Sequence, residues 1–429
     1  MVGSDATLSE ISSMLQRWTV RLLPILLLVS ATWAQSWTRF RGPNGQGRAE
    51  ATEIPVEWEP SAYRWKTTLP GEGHSSPVVW GNQLFITCGN KAIPEGLLLA
   101  LDATTGRILW QKAYSLTRYT MNSLNSYAAS TPVVDAEQVF VLWPTADELT
   151  LAALDHDGNE QWSKTFGPIH SSHGPCVSPM LYEDMVIFAQ EQRENDKDLH
   201  SRWLAVDKAT GEIRWQLPRD NAKISHVAPC VFTDASGADQ LIFSSLAHGV
   251  TGVDPGTGRV LWEVSGLFDG RTIGSPVIAG DYVVATCGAG GSGSVMAVVQ
   301  PGAGSSEARL VHKIESRLIS FIPSPIVVKS RLYTFHDQGT ISCWDLDKGA
   351  PIWSQRYAGR FHGSPIAVGD YLYCMTTEGQ VVVLRAGDAY EVVAVNPLGD
   401  KSEATPAVAN NRLYLRTLTS VICVAGREG

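Results

Sequence analysis

Three histidines of this 429-residue chain share one register: His74, His226 and His362 each lie three residues before a proline that opens an apolar run. His173 lies six residues before a fourth such proline, Pro179. Imidazoles gathered in one place could bind a metal or an anionic ligand. Arg118, Arg271 and Arg360 fall in the same kind of segment, where a planar guanidinium could grip a carboxylate. Ordinary solvated loop side chains are the competing expectation. For a metal it is the stronger one, because side chains from units spaced around a ring stand too far apart to share one ion. No catalytic set and no metal set is therefore assigned. His74, His226, His362, Arg271 and Arg360 stand as candidates for contact with a ligand or cofactor.

Other chemical motifs dissolve on inspection. Gly288–Gly293 matches GxGxxG after the strand-like run 282–286, but Ser294–Val299 reads as another strand. Without a helix N-terminus there is no phosphate cradle. Asp155-His156-Asp157 resembles half a calcium loop, but Phe166 stands where the twelfth-position Glu is needed. The run from Gln190 to His200 reads as a solvated hairpin, or as a partner contact. Seven cysteines (Cys88, Cys176, Cys230, Cys287, Cys343, Cys374, Cys423) are scattered singly, with no CxxC. Most lie inside apolar runs and read as small core residues. Their number is odd, so one thiol at least is free or pairs with another chain.

What must position these side chains is a repeat. The pattern Ala-x-Asp-x-x-Thr-Gly-x-x-x-Trp runs from Ala100 to Trp110 and from Ala205 to Trp215. Partial copies end at Trp162, Trp262 and Trp353, always with the Trp four residues after the Gly. A second mark is Ser-Pro or Thr-Pro before an apolar run, at Pro77, Pro132, Pro179, Pro276, Pro325, Pro365 and Pro406; at Pro229 the preceding residue is Ala228. The prolines recur every 40–55 residues. That length holds four short strands and their turns, one propeller blade. Eight marks predict eight blades. The unit from Thr405 onward has room for three strands only, so Tyr63-Arg64-Trp65-Lys66 is expected to supply its fourth. Trp65, Trp110, Trp162, Trp215, Trp262 and Trp353 are the structural repeat residues, expected to pack between blades.

These copies resemble the repeat of the PQQ-like (pyrroloquinoline quinone-like) eight-bladed β-propellers, over about residues 60–429. Two blades depart: the fifth (Ala297–Gly302) and the seventh (Leu384–Asp388) have no following Trp. The opening Trp37-Thr38-Arg39-Phe40-Arg41-Gly42-Pro43-Asn44-Gly45 is similar to a leader found before exported propellers of this type, and is expected as an extended arm laid over the ring. The resemblance implies one of two functions. Quinoprotein dehydrogenases hold PQQ and calcium and oxidise alcohols or sugars. Others, similar to the propeller of outer-membrane barrel assembly, bind protein without a cofactor. The adjacent-cysteine pair of the alcohol-oxidising enzymes is missing here.

Composition narrows the classes further. With 34 Lys and Arg against 43 Asp and Glu the net charge is −9, and no basic block exists, so a nucleic-acid partner is not expected. Arg17 and Arg21, the apolar run 22–29 and Ser30-Ala31-Thr32-Trp33-Ala34 read as a secretory signal peptide, whose start is Met1 or Met14. The run is too short to span a bilayer, and no Cys near the cleavage point offers a lipid anchor. The expected organisation is a signal peptide at 1–34, an arm at 35–60 and an all-β eight-bladed propeller at 61–429, exported to the periplasm or beyond. The expected function is a scaffold for a protein, peptide or glycan partner, leaning away from catalysis. The alternative is a PQQ- and calcium-dependent oxidoreductase of sugars or alcohols.

Overall fold

The Asp-x-x-Thr-Gly segment folds the way its residue types dictate. Asp102 Oδ1 accepts the backbone N–H groups of Thr104 and Thr105 at 2.9 and 2.8 Å. Gly106 then takes φ +73°, a conformation open to glycine at little cost. Asp207 and Gly211 repeat the geometry. The turn reverses the chain between the third and fourth strand of each blade in which it occurs. In this computed structural model the described residues are 36–51, 54–90, 92–119, 121–145, 147–171, 173–174, 176–193, 195–288, 294–303 and 307–426. The expected signal peptide lies outside them.

Eight antiparallel sheets form the ring. Blade 1 shows the plan, with strands Val78–Trp80, Gln83–Asn90, Glu95–Asp102 and Ile108–Ser115. The middle strands are buried almost throughout, whereas the outer strand alternates toward solvent. The predicted clasp is present: Tyr63–Thr68 pairs antiparallel with Ser420–Ala425, placing Trp65 opposite Cys423. The first strands of blades 1 and 8 are in contact, so the ring closes.

Trp65, Trp110, Trp162 and Trp215 each lie against the turn glycine of the next blade. A Cβ added to Gly106 would stand 2.5 Å from the Trp65 ring, and one on Gly258 2.6 Å from Trp215. The indole N–H completes the contact, from Trp65 to Ala103 O at 3.2 Å, Trp110 to His156 O at 2.8 Å and Trp215 to Pro255 O at 2.8 Å. Blade 5 keeps the contact without Trp. His312 stands opposite Val298, packs on Gly349 and donates from Nε2 to Asp347 O at 3.2 Å. Trp262 reaches blade 5 through Gln240, which accepts its N–H at 2.6 Å and donates to Gly302 O at 2.8 Å. In blade 7 Ala394 takes the Trp register, and Trp58 from the segment before the clasp joins the same apolar cluster.

The Ser/Thr-Pro mark has a physical role as well. Six of the seven hydroxyls accept the N–H of the matching residue in the preceding blade: Thr131 from Ser76, Ser178 from Thr131, Ser275 from Ala228, Ser324 from Ser275, Ser364 from Ser324 and Thr405 from Ser364, all at 2.9–3.0 Å. The relay follows the inner strands around the channel with two gaps: Ala228 has no hydroxyl to offer Ser178, and the buried Ser76 hydroxyl, where blade 8 meets blade 1, has no partner among the described residues.

The N-terminal segment does not lie over the ring as expected. It threads the central channel. Trp37 exchanges two backbone hydrogen bonds with Val79 in blade 1, and Thr38 O accepts from Val134 in blade 2. Asn44 clamps the backbone of Val231 in blade 4, and Gln46 accepts from Ile278 in blade 5. Arg48–Ala49 adds a parallel fifth strand to blade 7. Arg39 donates to Pro229 O at 2.5 Å and Arg41 to Pro325 O at 2.7 Å, both guanidinium groups being buried. The inner edge of a propeller leaves backbone groups unpaired, and a buried unpaired group is costly. The arm supplies the partners. The run from Gln190 also departs from expectation at its start. Glu191 is buried and accepts from Trp203 Nε1 at 3.0 Å and from Ser225 N and Oγ at 2.8 and 2.7 Å, tying blade 3 to the loop that leaves it.

Trp215→Ala removes a buried aromatic from an inter-blade contact and is expected to lower unfolding free energy by about 3–5 kcal/mol, read by urea denaturation under circular dichroism. Deleting 63–68 is expected to broaden and lower the thermal transition far more. An unchanged melting curve for the deletion would sink the closure mechanism.

Candidate functional site

The segments that lead from the outer strand of one blade to the inner strand of the next meet at one end of the channel. There they line a cavity of about 620 Å³. His74, His173, His226, His362, Arg271 and Arg360 all contribute to it, from entry segments of five blades. Arg118 does not; it is exposed and donates to Ala92 O at 2.6 Å. Phe40 of the arm also lines the cavity, as do Phe321, Ile273 and Ile322. The sequence offered no sign of Phe40, because nothing in its local pattern places the arm inside the ring.

The polar side chains are held in specific ways. Arg271 Nη2 donates to His173 Nδ1 at 3.0 Å, which makes that nitrogen the acceptor of a neutral imidazole. His226 donates from Nδ1 to Cys176 O at 3.2 Å. Burial, and then the nearby Arg271 charge, push His226 down to about 4. The same two causes lower His173. His362 Nδ1 bonds Glu403 Oε2 across the entry segments of blades 7 and 8. Asp337 accepts the N–H of Phe321 at 3.2 Å and is itself buried.

This arrangement is suited to binding. Burial pushes the Cys176 thiol up to about 12, so it is not a thiolate nucleophile at neutral pH. All seven cysteines are free. No group of three or more His, Cys, Asp or Glu among the described residues is disposed to hold a metal. The histidines that share a register thus share a cavity but not a coordination site. A quinone cofactor of the type implied by the repeat would bring calcium, which takes six to eight oxygen ligands. The cavity's two carboxylates are engaged as described above, and among the described residues no tryptophan lines it as a stacking floor. The donor set does not fit a PQQ–calcium pair.

A family model described as outer membrane protein assembly factor BamB, of the PQQ_2 repeat type, matches residues 54–126, 94–355, 305–392 and 339–428. The chain belongs to this family. A curated relative, outer membrane protein assembly factor BamB of Marinobacter adhaerens, is 24% identical over 112 residues. That match spans 26% of this chain and 28% of the relative's length. Among solved structures, BamB from Moraxella catarrhalis aligns with a TM-score of 0.59 at 15% identity, over 87% of this chain and 99% of that one. Quinohemoprotein alcohol dehydrogenase from Comamonas testosteroni aligns with a TM-score of 0.65 at 13% identity, over 93% and 82%. At such identities both similarities speak for the fold alone.

Because His226 titrates near 4 when folded and near 6.5 when unfolded, the unfolded chain binds more protons between those values. The His226 contribution therefore lowers stability as pH falls from about 6.5 toward 4. Melting temperatures of wild type and His226→Asn across pH 7.5–4.5 check this. The gap between the two curves is expected to shift in favour of the variant as the solution is acidified.

Proposed function

We propose that this chain is an exported, non-catalytic scaffold that holds a protein or peptide partner in its funnel cavity. The observation that carries the reading is the blind cavity: entry segments of different blades converge on it while the arm fills the channel beneath, with Phe40 as part of its floor. A rigid ring carrying variable loops is a common platform for recognition. The family match supports a protein partner, since the relatives are described as assembly factors. The signal-like segment at 1–34 supports export, and so does that relationship. Among the described residues no helix is long and apolar enough to cross a membrane. A glycan is less well served, because no tryptophan among the described residues offers a sugar-stacking face in the cavity.

The reading is tested by a photo-crosslinking residue at Ile322, on the cavity, and at Ile352, on the outer strand of blade 6. Expressed in the native host, the first is expected to give a discrete crosslinked species and the second none. Equal labelling at both positions, or none at either, overturns it.

The alternative is a quinoprotein oxidoreductase, favoured by the shared fold with quinohemoprotein alcohol dehydrogenase and by Arg271 and Arg360 on the cavity wall. Adding PQQ with calcium is expected to leave the melting temperature unchanged. A rise of several degrees, with dye-linked oxidation of sugars or alcohols, would establish the alternative instead.

A further inference from the structure

Charge is divided unevenly around the cavity. On the side of blades 6–8 each acid has a neighbour, Glu403 bonding His362 and Asp337 lying 3.9 Å from His336 and accepting Phe321 N–H, and Arg360 is the cation there. On the side of blades 3–5 the wall carries Lys223, His173, His226 and Arg271. Neither Lys223 nor Arg271 makes an ion pair among the described residues. Arg271 spends one donor on His173, and its Nε is buried with no acceptor. A half-buried guanidinium left with unused donors forgoes the hydrogen bonds that water or an anion would give it. Its planar fork matches a carboxylate with two parallel N–H···O contacts.

The shape of the cavity limits how a polypeptide can deliver that carboxylate. The volume of about 620 Å³ falls within the range of small-ligand sites, roughly 300–1,000 Å³, enough for a few residues. The arm closes the axis below Phe40, so a chain entering from the funnel has no exit and must either end there or double back. Ending costs fewer ordered residues. Phe40, Phe321, Ile273 and Ile322 present apolar surface beside the cationic wall.

We infer that the cavity receives the free C-terminus of a partner polypeptide, its carboxylate on Arg271 and its last side chain, an apolar one, against Phe40, Phe321 and Ile322. This rests on the reading of the chain as a peptide-binding scaffold. Lys223 adds a second positive charge on the same side. The neutral His173 positions the guanidinium by accepting from it.

The test uses the mature protein and immobilised peptide pools, tethered by their N-termini, with the last four positions randomised. One pool ends in a free acid and the other in an amide. The acid pool is expected to retain the protein at least about tenfold more tightly, a difference of about 1.4 kcal/mol, with apolar last residues enriched. Arg271→Gln is expected to erase the difference with its melting curve preserved, and Arg271→Lys to restore part of it. Equal retention by acid and amide pools overturns the inference, as does an acid preference that survives Arg271→Gln. Retention by neither pool also overturns it. If crosslinking from Ile322 still captures a partner in that case, the scaffold reading stands and only the chain-end mode fails. If it does not, both fall.

Discussion

The contact between a tryptophan and a glycine of the next blade is what the rest of the molecule depends on. A four-stranded blade cannot bury both its faces alone. Its outer-strand Trp therefore rests on the following turn, and that turn must carry Gly because a Cβ there would occupy the ring. The Asp of the same turn is spent on local backbone N–H groups. One short motif thus serves two blades at once, as turn in its own and as landing pad for its neighbour. Where the motif decays, the contact is rebuilt by other means: His312 in blade 5, a glutamine relay from Trp262, and Trp58 from outside the ring beside blade 7.

Closure of the ring creates a second problem and the arm solves it. Eight inner strands surround a channel, and their backbone groups face it. Segment 37–49 provides donors and acceptors for strands of blades 1, 2, 4, 5, 6 and 7. Two guanidinium groups are buried to do so without a carboxylate beside them. Burial lowers Arg39 to about 10 and Arg41 to about 9, so both keep their charge at neutral pH. Carbonyl dipoles carry the compensation, as they do for Arg416, which donates to Ser75 and Thr87. The hydroxyl relay at the Ser/Thr-Pro positions locks the same inner strands to each other.

The funnel cavity is a product of both devices. The ring holds the entry segments at fixed spacing, and the arm turns an open channel into a pocket with a floor. The side chains gathered there are imidazoles, guanidinium groups and apolar residues, with the raised thiol of Cys176 and engaged carboxylates. Such a wall suits recognition. Chemistry of the quinoprotein kind would require an oxygen-rich cation site that the described residues do not assemble.

Blade count, strand order and clasp were legible in the sequence, because a repeated Asp-x-x-Thr-Gly-x-x-x-Trp and a recurrent hydroxyl-proline pair encode local turns and strand starts. The sequence also placed the candidate His and Arg residues in the segments that precede the inner strands, and six of them meet on one cavity. The rest depends on contacts between distant segments. Arg118 comes from the same kind of segment and misses the cavity, since it turns to Ala92 O. The arm reads as a polar, glycine-rich leader, and its place inside the ring follows from inner-strand hydrogen bonds up to 320 residues away in the chain. Phe40 became part of the site for that reason alone. His312 replaces tryptophan in blade 5 without any motif to announce it, because its flat ring and N–H meet Gly349 and Asp347 O, partners that only the neighbouring blade reveals.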